Sequence, residues 1–298
     1  TAANRSAARA CFGGSRNSAR VNQSMLHGRQ GRGESMKSMP GLLLAVAACC
    51  TAGTGHAELP EQPPIDGTDA AITGNRVLTL TLADLLSGEA AAAVEGVVQA
   101  DESIEWQMYV PPNYEPSRPA GLLVYVSPTQ SGEIPRGWSD VLDRRNLIWI
   151  GADRAGNAER VARRVLLALL AAPAARRDYA IDPERVYISG LSGGGKVASM
   201  IATDQAQLFR GAIYNCGVEV WDTDEPAGLE EMRQNRYVFV TGTYDQALEP
   251  TKRAYRAYKR AGVENAKLMV IRHMTHRNPD SYDFEEALIY LDSRSEPL

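Results

Sequence analysis

The chain has 298 residues, 44% of them hydrophobic and 23% charged, which is enough apolar material for one large core or two small ones. Its formal net charge of −4, which becomes −10 without the segment read below as leader and signal, opposes nucleic acid as a partner. The two ends of the chain differ in composition from the middle.

Residues 1–35 are rich in Ser, Arg, Gly and Asn, have no hydrophobic periodicity, and read as a leader that joins no core. Met36-Lys-Ser-Met-Pro-Gly-Leu-Leu-Leu-Ala-Val-Ala-Ala-Cys-Cys50 joins a positive start to a short apolar run, the pattern of a secretory signal (residues 36–57) too short to span a bilayer. Cleavage after Ala57 leaves a chain starting at Glu58, addressed outside the cell or to the periplasm. The removed part carries seven Arg or Lys and one Glu, so the net charge moves from −4 to −10. Only Cys216 of the four cysteines then remains, which allows no internal disulfide. An alternative address follows from Val46-Ala-Ala-Cys49, which resembles a bacterial lipobox, and only lipidation at Cys49 would bring in a membrane.

Residues 58–102 read as a proline-containing lead-in with one alternating strand, Arg76–Leu82, and a short helix or loop over Ala83–Val98. Residues 103–298 carry the stronger pattern of an α/β domain. Ile104–Val110 alternates and stops at Pro111-Pro112, while Gly121–Val126 and Leu147–Gly151 are continuous apolar runs of the kind covered on both faces. An amphipathic run over Ala158–Ala171 precedes the strand Val186–Ile188 and a helix over Lys196–Ala206. Strands at Gly211–Cys216, Tyr237–Val240 and Lys267–Ile271 then alternate with helices at Pro250–Ala261 and Tyr282–Leu291. Such alternation predicts a mostly parallel, doubly wound sheet flanked by helices.

In such a sheet, functional groups gather at the carboxyl ends of the strands. Gly190-Leu-Ser-Gly-Gly194 falls there, between a strand and a helix, and matches G-x-S-x-G, a turn that exposes a serine hydroxyl. A glycine-rich phosphate cradle fits poorly, because Lys196 is followed by Val197. Ser192 is therefore the candidate nucleophile, and it needs a base and a group to orient that base. Beyond the leader only His273 and His276 remain, both after the last apolar strand; His276, further into the loop, is favoured as the base, with His273 as a packed or loop-supporting residue. A metal pair at this i, i+3 spacing lacks a neighbouring carboxylate in a familiar ligand pattern. Asp245, just past Tyr237–Val240, is the candidate orienter, with Asp222 and Asp224 as rivals; Asp280 and Asp283 fit the chain order poorly. The oxyanion hole calls for two backbone N–H groups. Gly193 offers one, and Thr129 the other, because Pro128 has none to give. Cys216 reads as a small core residue, and Trp106, Trp138 and Trp221 as core or support residues rather than a cleft lining.

Over residues 103–292 the chain resembles the α/β-hydrolase superfamily, and within it secreted esterases related to polyhydroxybutyrate depolymerases and feruloyl or acetylxylan esterases. The likeness rests on Met108-Tyr-Val-Pro-Pro112, on Ile181-Asp-Pro-Glu-Arg-Val-Tyr-Ile-Ser-Gly-Leu-Ser-Gly-Gly194, on Phe209-Arg-Gly-Ala212, and on the Asp245 and His276 loops. It implies the α/β-hydrolase fold and hydrolysis of a small or polymeric ester through an acyl-enzyme, with no cofactor and no metal. One departure stands out: Ser127-Pro128 occupies the place where such enzymes usually carry His-Gly, which puts the oxyanion geometry in question. A catalytically degenerate binding protein is the competing expectation. A peptidase of the prolyl oligopeptidase type is the nearest rival reaction, although it usually carries a large extra domain.

Overall fold

The structure is a computed structural model and describes residues 72–221, 225–226 and 228–293. The leader, the signal segment with Cys49, and the rival acids Asp222 and Asp224 lie outside those residues. No helix among the described residues is long and apolar enough to cross a membrane.

Eight strands form one sheet: β1 (Gly74–Thr81), β2 (Ser103–Val110), β3 (Ala120–Val126), β4 (Leu147–Ala152), β5 (Ile181–Leu191), β6 (Gly211–Asn215), β7 (Arg236–Gly242) and β8 (Ala266–Ile271). Their order is β1-β2-β4-β3-β5-β6-β7-β8, with β2 antiparallel to both its neighbours, β1 and β4, and every other pair parallel. The expected mostly parallel sheet is thus present, and every residue of β3, β4 and β6 is buried, as continuous apolar runs require. β1 pairs along its whole length with β2, and the short helices α1 (Leu82–Leu85) and α2 (Gly88–Val94) bring Leu82 and Val94 into the main core.

Helices cover both faces. On one face α4 (Val161–Arg176) and α5 (Gly193–Asp204) pack against Leu122, Val124, Ile148 and Ile188. On the other, α3 (Ser139–Arg145) and α8 (Ser281–Asp292) enclose Leu123, Trp149 and Val240, with Trp138 and Phe284 stacked at 3.6 Å. α6 (Leu229–Gln234) and α7 (Leu248–Arg260) complete the set. α3 and α6 are too short to show a helical period in sequence, each burying two residues. α5 begins three residues before the expected Lys196, because a run of three glycines hides its first turn. The run expected to be amphipathic over Ala158–Ala171 is corrected on two counts: α4 starts at Val161, and it is buried on nearly every side.

One of the buried residues of α4 is charged. Arg164 donates through Nε to Ala155 O at 2.8 Å, through Nη2 to Ser127 O at 3.1 Å and through Nη1 to Gly193 O at 3.4 Å. Desolvation pulls its pKa down to about 10, so it stays charged at neutral pH. One side chain therefore ties together the loop after β3, the loop after β4 and the start of α5. A second polar anchor closes the C-terminal helix. Asp292, at the end of α8, accepts from Arg145 and Arg185 Nε at 3.0 Å each, and from the Tyr187 hydroxyl at 2.8 Å. Burial alone would raise the Asp292 carboxyl, but Arg185, Arg145 and Tyr187 outweigh it and hold the pKa below the ordinary carboxylate value.

Two predictions follow from these anchors. Arg164→Met leaves two loop carbonyls and one in the first turn of α5 without this donor and should destabilise the fold by about 2–3 kcal/mol; Arg164→Lys should recover only part, since an ammonium cannot reach three carbonyls in a fixed fork. Chemical denaturation measures both. Asp292→Asn should cost about 2 kcal/mol, discounted for the partial exposure of the arginines. Because the folded pKa of Asp292 is depressed, its contribution is present above the unfolded carboxylate pKa and is lost as pH falls through the folded one. The gap in midpoint between wild type and Asp292→Asn should therefore close in acid.

Candidate active site

β5 ends in a turn that the chain tolerates only because glycines surround it. Ser192 has φ 57° and ψ −120°, a left-handed conformation that is costly for a residue with a side chain. A Cβ on Gly194 would overlap the Val126 carbonyl at the end of β3, and one on Gly190 would come within 2.8 Å of Gly195 N. The Ser192 N–H donates to Asn215 O of β6 at 2.8 Å, which fixes the turn from the other side. The serine hydroxyl is thereby lifted to the amino end of α5, where helix N–H groups and the helix dipole favour negative charge.

Asp245 and His276 arrive from two further strand ends. The Asp245 N–H bonds to Gly242 O at 3.1 Å, and its buried carboxylate accepts from the Thr241 hydroxyl at 3.0 Å and the Ala247 N–H at 2.9 Å. His276 Nδ1 lies 2.7 Å from Asp245 Oδ1, and His276 Nε2 lies 2.8 Å from Ser192 Oγ. Three residues separated by up to 84 positions thus form one continuous hydrogen-bonded chain. Burial alone would raise the Asp245 carboxyl; the Cys216 thiol, the Ala247 N–H, His276 and Thr241 together leave it below the ordinary value. An ionised Asp245 accepts from Nδ1–H and leaves Nε2 free to accept from the serine.

His273 stands apart from this chain. It is exposed rather than packed, has φ 59°, donates its N–H to the Thr243 hydroxyl at 2.8 Å, and stacks on Tyr244 at 5.3 Å. Cys216 is buried as expected, yet it also touches the site. Its single hydrogen serves either Arg277 O at 3.3 Å or the Asp245 carboxylate, and burial, with Asp245 beside it, pushes the thiol pKa up. Cys216, Asp245 and His276 place one ligand-type atom each within 4.8 Å of one another, but the close 2.7 Å contact between His276 and Asp245 is that of a hydrogen bond, with no room for an ion between the two atoms.

Support for the His276 loop comes from Trp138, expected as a core or support residue, and from Tyr125, which the sequence does not single out. Trp138 Nε1 donates to Pro279 O at 3.2 Å, and Asn278 Nδ2 donates to the Tyr125 hydroxyl at 3.0 Å. Trp106 is fully buried, with Nε1 on Leu167 O at 3.2 Å, and Trp221 packs at 5.0 Å on Tyr258, so neither lines a cleft. In the oxyanion region, Gly193 is the first residue of α5, where N–H groups lack helical partners. The Thr129 N–H, by contrast, is engaged by Ser127 Oγ at 3.1 Å within its own loop. Asn157, from the loop after β4, lies directly over Gly193, a proximity that no local sequence pattern signals.

Residues 168–275 match the prolyl oligopeptidase family, a stretch that holds Ser192 and Asp245 and stops one residue short of His276. No protein of curated function matches the sequence. Among solved structures, the feruloyl esterase module from Clostridium thermocellum aligns with a TM-score of 0.54 at 13% identity, over 80% of this chain and 95% of that one. A ferulic acid esterase aligns with a TM-score of 0.52 at 16% identity, over 74% and 99% of the two chains. A thermostable esterase aligns at 16% identity and a TM-score of 0.49, over 64% of this chain, and the match spans only 59% of that protein's length. At such identities the likeness is one of backbone path, and it agrees with the strand order and the strained serine turn: the chain has the α/β-hydrolase fold.

Proposed function

We propose that this protein is a serine hydrolase that cleaves carboxylic esters through an acyl-enzyme, with Ser192 as nucleophile, His276 as base and then acid, and Asp245 as orienter. The observation that carries this reading is the unbroken chain Ser192 Oγ, His276 Nε2 and Nδ1, Asp245 Oδ1, at 2.8 and 2.7 Å. A serine hydroxyl is a weak nucleophile, and this arrangement supplies what it lacks.

The steps follow from the positions of the atoms. Ser192 Oγ bonds to the ester carbonyl carbon while its proton passes to His276 Nε2, and the imidazolium is stabilised by the buried Asp245 carboxylate. The carbonyl oxygen becomes an oxyanion near Gly193 N–H at the amino end of α5. Collapse breaks the bond to the alkoxy group, which takes the proton from Nε2. Water then repeats the sequence on the acyl-enzyme, releasing the acid and restoring Ser192.

The match to the prolyl oligopeptidase family favours a second reading, amide hydrolysis at the same triad. We infer as well that residues 36–57 act as a secretory signal, which N-terminal mass determination would test by finding either Glu58 or a lipidated Cys49 first.

Hydrolysis of p-nitrophenyl acetate and butyrate, set beside hydrolysis of a prolyl p-nitroanilide, tests the function. The expected outcome is turnover of the esters at a far higher kcat/KM than the anilide. Ser192→Ala and His276→Ala should each lower kcat by about 10⁴-fold or more, and Asp245→Asn by a factor approaching that. His273→Ala should stay within a few-fold of wild type. An inert wild type that also fails to react with a fluorophosphonate would favour the degenerate binding protein instead.

A further inference from the structure

We propose that the side-chain amide of Asn157 is the second donor of the oxyanion hole, so that Asn157 is a catalytic residue in a place where enzymes of this design ordinarily use a backbone N–H. The proposal rests on the serine hydrolase reading and deepens it.

Three observations carry it. First, the donor expected from the loop after β3 is not free. Pro128 has no N–H, and the Thr129 N–H is held by Ser127 Oγ at 3.1 Å, with that hydroxyl itself 3.0 Å from Thr129 Oγ1. Second, the Asn157 carboxamide lies against Gly193, the residue whose N–H is the other donor. A Cβ at Gly193 would overlap Asn157 Oδ1 and would lie 2.9 Å from its Cγ and 3.1 Å from its Nδ2. Third, the carboxamide is exposed and has no hydrogen-bond partner among the described residues, so a half-turn about its terminal bond presents the NH₂ to a new acceptor at little cost.

The backbone around Asn157 is fixed although the side chain is not. Its own N–H donates to Pro128 O at 3.0 Å, and a Cβ on Gly156 would lie 3.0 Å from Gln130 N and closer still to the Thr129 carbonyl, so the loop after β4 is laid on the loop after β3. Arg164 joins Ala155 O, Ser127 O and Gly193 O, which locks both loops to the start of α5. A donor on a pinned backbone, with a terminal amide free to turn toward developing charge, is what stabilisation of a tetrahedral intermediate calls for. The amide N–H donates to the oxyanion as the carbonyl carbon becomes tetrahedral and releases it on collapse. No bond is made or broken at Asn157.

The test compares Asn157→Ala and Asn157→Asp with wild type on p-nitrophenyl butyrate, with fluorophosphonate labelling and thermal midpoint followed in parallel. The expected result for Asn157→Ala is a fall in kcat of about a hundredfold to a thousandfold with KM changed less than threefold. Labelling should slow in step, because the phosphonyl oxygen occupies the same place, while the midpoint is unchanged. Asn157→Asp should be slower still, since a carboxylate repels the oxyanion, and a purely structural role would not produce that order. A kcat for Asn157→Ala within threefold of wild type, or a loss confined to KM, would overturn the proposal while Ser192-dependent turnover kept the hydrolase reading intact. A wild type with neither turnover nor labelling at Ser192 would overturn both.

Discussion

The structure turns on the backbone of one residue. A serine held at φ 57° is strained, and the strain is maintained by what crowds around it: β3 delivers the Val126 carbonyl against Gly194, and β6 supplies the Asn215 carbonyl that receives the Ser192 N–H. Neither neighbour is close in sequence, so the turn exists only when the central strands are in register. The geometry of the serine therefore belongs to the sheet as much as to the motif. That dependence explains why α5 begins with glycines of low helical propensity: close approach is worth more here than local preference.

Much of this is visible in the amino-acid order, and for identifiable reasons. Parallel strands buried on both faces appear as unbroken apolar runs, so β3, β4, β6 and β7 stand out. Ser192 is marked by its glycines, His276 by the scarcity of histidines, and Asp245 by its place after β7. What does not show is proximity between loops. Asn157 and Arg164 carry no local signature; one is a polar residue in a polar loop, the other a cation within an aliphatic helix that turns out to be buried nearly all round. The Thr129 N–H is an instance where the chain position is suitable but a neighbouring hydroxyl, Ser127 Oγ, takes up the donor. The pairing of β1 with β2 is equally hidden, because an antiparallel edge strand reads the same wherever it attaches.

Polar groups do different work on the two faces of the sheet. Beneath the serine, Arg164 gathers carbonyls from three segments. On the opposite face, Trp138 and Tyr125 hold the backbone and side chain after His276 through hydrogen bonds to Pro279 O and the Asn278 carboxamide, and otherwise contribute aromatic packing. The serine side is thus positioned by charge and close backbone contact, and the histidine side by ring stacking.

The histidine also lies beside an edge of the sheet. It follows β8, the edge strand, whose Val270 is 39% exposed, and precedes α8, which is held at its far end by Asp292. Proteins open in cooperative units of unequal stability, and edge elements open first. An opening of β8 and the loop after it removes the imidazole while the central strands keep the serine in its strained turn. Such a molecule is folded in its bulk yet lacks the contact between His276 and Ser192, so on heating that contact fades before the central sheet does.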